Sequence, residues 1–200
     1  GLILPPAIAP VQAVIVPITI GKRHEDVLAA AKKLESELKA AGFRVKTDTR
    51  DMRPGAKYYW WELRGVPLRL ELGPRDLDGG KVMAVKRTGE KSQIELATVR
   101  DGVTRVLAEI TDAIRAKAEE HTRSHLISVD SMDGLNAALN DGKVAVIHWC
   151  RERGCGDAIE EKANSSILGT EVRSPYVAAT DGKCIVCGKP GKATLVGRTY

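Results

Sequence analysis

The chain has 200 residues, of which 43% are apolar and 28% are charged, a composition that is ordinary for a globular protein and excludes a fibrous or low-complexity chain. The net charge of +5 arises entirely before residue 125, because residues 125–200 contain nine basic and nine acidic side chains. Residues 44–91 alone carry 12 basic and 7 acidic side chains, which predicts a localised basic surface whose commonest partner is a phosphate backbone.

The first twenty residues contain no charged side chain but four prolines, at positions 5, 6, 10 and 17. Prolines argue against a membrane-spanning helix, and no basic segment precedes the apolar run as a signal peptide requires. We therefore expect buried extended chain here. An apolar start at Gly1 also suggests that the sequence was cut from a longer protein.

Strands and helices alternate in the first part of the predicted structure. Period-two or β-branched patterns predict strands at 11–18, 43–48, 67–72 and 81–87, with a possible short one at 91–96. Apolar residues at helical spacing predict helices at 24–41, within 53–65 and from 99 to about 122. The connection between the strands at 67–72 and 81–87 is expected to be a turn. This alternation predicts an α/β layer structure of about 110 residues.

The composition changes near residues 122–126, where we place a domain boundary. Beyond it, residues 131–142 have the features of a capped helix, residues 143–150 those of a strand, and residues 157–166 those of a short helix.

All four cysteines lie in this second part, as two close pairs: Cys150 with Cys155, and Cys184 with Cys187. The spacings, four residues within the first pair and two within the second, fit a tetrahedral zinc site closed by four thiolates, with Gly188 suited to the tight turn after the second pair. Such a site has no open position for water, so it is expected to be structural. Two disulfides, four unrelated thiols, or His148 as a substitute ligand are the alternatives.

No self-contained active site is visible in the sequence. There is no legible catalytic serine, histidine and acid cluster, and no phosphate-binding glycine motif follows a strand. Binding is therefore favoured over catalysis.

A short helix gathers four of the eight aromatic residues, at positions 58–61, beside basic side chains. Opened-out RNA bases need stacking faces and nearby cations, and guanine edges are recognised by cationic donors and carboxylate acceptors. Not all four rings can face the core, so we expect at least one to face a groove. The predicted RNA-binding residues are Lys57, Trp60, Glu71, Arg75, Asp76, Lys86 and Arg87. A plain surface or core role is the alternative for each.

Several segments together resemble the prolyl-tRNA synthetase family of archaeal and eukaryotic type. The opening GLILPPAIAPVQAVIVPI is similar to the junction after the last class II catalytic motif, and GVPLRLELGPRDLDGGKVMAVKRTGEK to the central strands of the anticodon-binding domain. The paired cysteines and the terminal GRTY are similar to the zinc-containing C-terminal domain.

The resemblance implies a junction at 1–10, a five-stranded mixed α/β anticodon-binding domain at 11–123 and a small α/β zinc domain at 124–200. It implies recognition of the anticodon guanines of proline tRNA, zinc bound by the four cysteines, and a positional role for the terminal Tyr200. In the family, ATP and proline bind to a catalytic domain that this chain lacks, so the chain alone is expected to be inactive. A cytoplasmic, homodimeric parent enzyme is implied. The alternative is a zinc-stabilised scaffold that docks onto a protein without binding specific RNA.

Overall fold

The structure is a computed structural model that describes residues 2–19, 23–170, 175–177 and 180–199. It forms two compact units, residues 1–116 and residues 117–200. The domain boundary expected from the sequence, between residues 123 and 124, lies near the end of a helix that runs from Val99 to His125. Tyr200 lies outside the described residues. Among the helices of the described residues, none is both long enough and apolar enough to cross a membrane.

A five-stranded mixed sheet forms the first unit, and the strands predicted from the sequence are confirmed. They are β1 (Ala13–Pro17), β2 (Val45–Thr47), β3 (Leu68–Leu72), β4 (Lys81–Lys86) and β5 (Lys91–Glu95). Their order across the sheet is β2-β1-β3-β4-β5, so β1 lies at the centre of the parallel part. Strand β1 pairs in parallel with β2 and β3, whereas β3–β4 and β4–β5 are antiparallel.

Four helices accompany this sheet: α1 (His24–Ala40), α2 (Pro54–Leu63), α3 (Pro74–Asp78) and α4 (Val99–His125). Three of them were predicted. The turn expected between β3 and β4 instead contains the five-residue helix α3, because Pro74 starts the helix and the Asp76 carboxylate accepts a hydrogen bond from the Gly73 N–H at 2.9 Å.

The two faces of the first sheet are covered differently. Helices α1 and α4 pack the apolar residues of one face into the larger core, to which β1, β3 and β4 contribute Ile15, Leu70 and Val82. On the opposite face α2 inserts Trp61 against Val14 and Val16 of β1. Helix α2 therefore lies over the parallel part of the sheet.

The buried extended segment expected at the start of the chain is only partly right. Strand β1 is completely buried, but residues 6–8 form a turn, and Leu2 and Ile8 are exposed. The turn is held by the Arg44 side chain, which donates to the carbonyl groups of Pro6, Ala7 and Ala9. The prolines that argue against a spanning helix thus give a folded-back segment rather than a strand.

The second unit has its own sheet and core. Its strands are β6 (Leu126–Ser128), β7 (Val144–Trp149), β8 (Ser166–Thr170), β9 (Asp181–Lys183) and β10 (Pro190–Gly197), and its helices are α5 (Met132–Asn140) and α6 (Arg153–Ala163). Strands β6, β7, β10 and β8 form the sheet in that order, and β9 pairs with β10. The core joins Leu135 of α5 and Ile159 of α6 to Ile147 of β7.

Helix α6 begins four residues earlier than the sequence predicted, so that it includes Cys155. The early start depends on Gly156: a Cβ atom there would lie 2.9 Å from the Trp149 ring, so only glycine allows this close approach. Strands β6, β8, β9 and β10 were not predicted. Strand β10 begins with Pro190, and the first residue is a position at which a strand tolerates proline.

A substitution at Gly102 tests how closely α4 packs against the sheet. A Cβ atom at Gly102 would lie 2.3 Å from Ile94 Cγ2, and Ile94 is a buried, β-branched residue that cannot easily move. Although alanine favours a helix, we expect Gly102→Ala to lower the free energy of unfolding by about 1–3 kcal/mol. Denaturant unfolding measures this change. Gly55→Ala in α2, where no atom lies within 4 Å of the new Cβ, is the control and should be neutral or stabilising. A Gly102→Ala protein as stable as the original would contradict the described contact.

Candidate RNA-binding surface and metal site

The four aromatic residues of α2 face different directions, as expected from the sequence. Trp61 is 9% exposed and belongs to the core under the helix. Tyr58 and Trp60 are half-buried, and Tyr59 is 65% exposed. The helix therefore has both a core face and an open aromatic edge.

A buried carboxylate fastens α2 to the end of β2. The Asp48 residue is 3% exposed, and its Oδ2 atom accepts a hydrogen bond from Trp61 Nε1 at 2.8 Å. The same side chain accepts from Arg50 Nε at 2.9 Å and from Arg50 Nη2. Burial acts to raise the pKa of Asp48, but the hydrogen bonds from Arg50 and Trp61 outweigh it and hold the pKa below its ordinary value.

Lys57, one of the predicted RNA-binding residues, contributes to the same junction. It is 6% exposed, and its Nζ atom donates to the backbone carbonyl of Asp48 at 3.0 Å. The ammonium group therefore points to the end of β2, and an RNA contact by Lys57 stays a prediction.

Trp60 carries two arginine side chains over its ring. The Cζ atom of Arg50 lies 4.1 Å from the ring centroid, and that of Arg64 lies 3.3 Å from it. Both distances are within the range of a cation–π contact. Trp60 also packs edge-on against Trp61, with centroids 4.5 Å apart, so the core holds the ring in place.

Glu71 lies on the sheet face that α2 only partly covers. Its Oε1 atom accepts a hydrogen bond from Arg69 Nε at 2.8 Å, and Arg69 also pairs with Glu62 at 3.0 Å. The Arg69 guanidinium lies 3.9 Å from the centroid of the Tyr58 ring. Burial and the Glu71 carboxylate raise the pKa of Tyr58 to about 12, so its hydroxyl stays protonated at neutral pH.

The remaining predicted residues lie at the two ends of the β3–β4 hairpin. Arg75 and Asp76 are on α3, beyond the end of β3, with Arg75 exposed. Lys86 ends β4 opposite Leu68 and pairs with Glu109 of α4 at 2.7 Å. Arg87 follows, and its Nε atom donates to the carbonyl of Leu2 at 3.2 Å.

The structure thus brings some predicted residues together and separates others. Lys86 of β4 pairs with Leu68 of β3. Glu71 lies three residues further along β3, which corresponds to about 10 Å at the usual rise per residue. Lys86 belongs to the α4 face of the sheet and Glu71 to the α2 face. Lys86 and Arg87 both line a cavity of about 250 Å³ on the α2 face, together with Trp61, Glu62 and Arg69, although the Lys86 ammonium group pairs with Glu109 of α4.

Asp48, Arg50 and Arg69 support this surface but were not among the RNA-binding residues predicted from the sequence. Asp48 and Arg50 follow a short strand two residues apart, and Arg69 precedes Glu71 by two residues on one strand face. That spacing puts each pair on the same side of an extended chain. It is a weak signal, because many exposed strands show it.

The four cysteines converge into one cluster, as the sequence predicted. Cys150 follows β7, Cys155 lies in the first turn of α6, and Cys184 and Cys187 lie in the turn before β10. Their four Sγ atoms all lie within 4.8 Å of one another, which is close enough to hold a metal ion. Gly188 has a φ of 73°, the left-handed conformation that its predicted role in the turn requires.

The geometry also bears on the alternatives. The Sγ atoms of Cys150 and Cys187 are 3.6 Å apart, well beyond a bonded disulfide, and all four thiols are free. His148 contacts Thr180 Oγ1 at 3.1 Å through its Nε2 atom and is not a member of the cluster. Burial acts to raise the pKa of Cys184, but hydrogen bonds led by those from the backbone of Cys187 and Val186 lower it to about 6.

Comparison with known protein families agrees with this arrangement of two units. The family model described as the anticodon binding domain matches residues 12–106, and the model described as prolyl-tRNA synthetase, C-terminal, matches residues 132–200. The chain belongs to the prolyl-tRNA synthetase family. It corresponds to the anticodon-binding and C-terminal portion of that family's proteins.

Curated relatives named proline–tRNA ligase align along the whole chain. The protein of Methanoregula boonei is 74% identical over 200 residues, that of Methanosarcina mazei is 44% identical over 204, and that of Thermococcus kodakarensis is 41% identical over 204. In each case the match covers 100% of this chain and 42% of the relative. The chain therefore spans less than half the length of these synthetase relatives.

Asp48→Asn tests the buried carboxylate in the anticodon-binding portion. We expect this variant to lose about 2 kcal/mol of unfolding free energy at neutral pH, because hydrogen bonds to a charged acceptor are lost. The folded-state pKa of Asp48 is lowered, so its stabilisation is present above the ordinary pKa of about 3.9 and is lost as the pH falls through the lower folded value. The difference between the two proteins should therefore shrink below about pH 4 in denaturant titrations.

Asp51→Asn is the matched control, because Asp51 is exposed and only three residues away. It should change the stability by less than about 0.5 kcal/mol. If Asp48→Asn and Asp51→Asn were equally stable at neutral pH, the carboxylate would not hold β2 to α2.

Proposed function

We propose that the first unit binds proline tRNA and recognises the guanines of its anticodon. The observation that carries this proposal is the Glu71 carboxylate on the sheet face that α2 only partly covers, where Arg69 Nε donates a hydrogen bond to it at 2.8 Å. The Watson–Crick edge of guanine presents N–H donors, so it needs an acceptor of this kind, while cationic side chains donate to its O6 atom. The family match of residues 12–106 supports the same role.

The predicted residues divide into two groups in this proposal. Glu71, Arg75 and Asp76 contact one guanine near the end of β3, and Lys86 and Arg87 contact the RNA at the other end of the hairpin. Arg87 lines a cavity on the same sheet face as Glu71, which suits one extended RNA loop, whereas the Lys86 ammonium group would have to leave its partner Glu109 to contact that loop. Trp60 lies on the RNA-binding face, and Lys57 serves that face through the backbone of Asp48, since its ammonium group is buried there.

We infer that the four cysteines bind one structural zinc ion. Tetrahedral coordination with Zn–S bonds of about 2.3 Å places the sulfur atoms about 3.8 Å apart, close to the 3.6 Å between Cys150 and Cys187. Four thiolates leave no position for a water molecule, so the ion supplies cross-linking rather than catalysis. It would tie the end of β7 and the start of α6 to the turn before β10.

The names of the relatives support a proposal for the reaction of a longer parent protein. We propose that this chain works as part of a longer enzyme that attaches proline to its tRNA with ATP. ATP and proline would bind in the region that precedes these residues, and the parent would act as a cytoplasmic homodimer.

Guanine recognition can be tested by binding the chain to two RNAs. We expect proline tRNA to bind about tenfold or more tightly than a transcript with adenines in place of the anticodon guanines, because each wrong base costs about 1–3 kcal/mol. Glu71→Gln should reduce this difference, whereas Glu95→Gln, on the exposed part of β5, should leave it intact. Equal affinity of the unaltered chain for the two RNAs would contradict the recognition of guanine.

Zinc can be tested by metal analysis and by unfolding. We expect about one zinc per chain, and chelation should unfold residues 117–200 while leaving the unfolding transition of residues 1–116 unchanged. Cys184→Ser should have the effect of chelation, and Val186→Ala, in the same turn but without a ligand atom, should retain the metal. A metal-free chain with a fully folded second unit would exclude a structural role for zinc.

A further inference from the structure

The side chains of Arg50, Trp60 and Arg64 form a stack on the outside of the first unit, here called the arginine–tryptophan stack. The two guanidinium groups lie 4.1 Å and 3.3 Å from the centroid of the tryptophan ring. A base that stacked on either of these contact positions would have to displace an arginine. The stack therefore offers charged edges to a ligand in place of a bare aromatic face.

Both arginines are held in position before any ligand binds. Arg50 donates through Nε and Nη2 to the buried Asp48 carboxylate, and Arg64 donates through Nη1 to the backbone carbonyl of Trp60 at 3.1 Å. A guanidinium has five N–H donors, so each side chain retains donors that these bonds do not use. Within the part of the chain that the structure describes, the Nε and Nη2 atoms of Arg64 make no hydrogen bond.

The charge around the stack favours an anionic ligand. Asp48 is the ion-pair partner of Arg50, but no acidic side chain of the described residues lies within ion-pair distance of Arg64. Arg53, exposed directly before α2, adds a further positive charge next to this helix. A planar guanidinium matches the geometry of a phosphate group and donates two parallel hydrogen bonds to it.

We propose that the arginine–tryptophan stack binds the phosphate backbone of the RNA, a role that rests on the proposed tRNA binding of this unit. Arg50 and Arg64 contact phosphate groups directly, and Trp60 is a positioning residue that holds the two guanidinium groups at the right spacing. Because phosphate groups are the same in every sequence, the stack adds affinity and salt dependence without adding any preference for guanine.

Arg64→Gln tests this role in titrations of the chain with proline tRNA and with the guanine-replaced transcript over a range of salt concentrations. We expect a loss of about fivefold in affinity for both RNAs. The slope of log affinity against log salt should fall by about one, as expected for one lost phosphate contact. Arg115→Gln, which removes one exposed charge from α4, is the control and should leave the slope unchanged.

The outcomes separate this proposal from guanine recognition. A slope that falls only in the Arg64 variant supports the phosphate site, even if the unaltered chain binds the two RNAs equally. An unchanged slope, the same change in the Arg115 control, or a loss confined to the RNA with guanines would overturn it. A chain that binds neither RNA would contradict both proposals.

A double-mutant cycle tests the role given to Trp60. We expect Trp60→Leu to weaken the binding of both RNAs. The double variant, which combines Trp60→Leu with Arg64→Gln, should have nearly the same affinity as the weaker-binding single variant. Trp60→Phe retains a ring and should restore most of the affinity. If the losses of the two single variants added up, Trp60 would contact the RNA independently of Arg64, and the positioning role would be wrong. Thermal unfolding of each variant confirms that it is folded.

Discussion

The hydrogen-bonded carboxylate of Asp48 is the constraint on which the binding face of the first unit depends. It directly follows β2, accepts the hydrogen bond from the Trp61 indole N–H that fixes α2 in the core, and holds Arg50 beside Trp60. Lys57 donates a hydrogen bond to the backbone carbonyl of Asp48. A buried charge is costly unless it is paired and hydrogen-bonded, so this site keeps strand, helix and arginine in one arrangement.

The position of α2 then decides which part of the sheet stays open. Because the helix covers β1 and packs its Tyr58 against Arg69 of β3, the outer antiparallel strands keep polar residues such as Gln93 and Lys91 exposed on that face. The other face is closed by α1 and α4. One sheet thus supplies both a hydrophobic core and a charged binding surface, and Glu71 lies where the covered and open regions meet.

The sequence predicted the elements with strong periodicity and missed those whose formation depends on tertiary contacts. The five strands of the first unit and α1, α2 and α4 carry clear apolar patterns, whereas the short helix α3 depends on the Asp76 hydrogen bond to Gly73. The early start of α6 depends on the fit of Gly156 under Trp149. Cysteine spacing predicted the thiol cluster, because ligands in close pairs leave few arrangements. The contact of Arg64 with Trp60 agrees with their four-residue spacing, but the stacking of Arg50 could not be predicted from spacing, since Arg50 lies in the loop between β2 and α2.

The central claim, that tRNA binds to the α2 and α3 side of the first unit, is tested most directly by hydrogen–deuterium exchange of the chain with and without proline tRNA. We expect slower exchange of backbone amides in residues 48–64 and 71–80, and little change in residues 126–170. Protection confined to the second unit, or none in either unit at saturating tRNA, would contradict it.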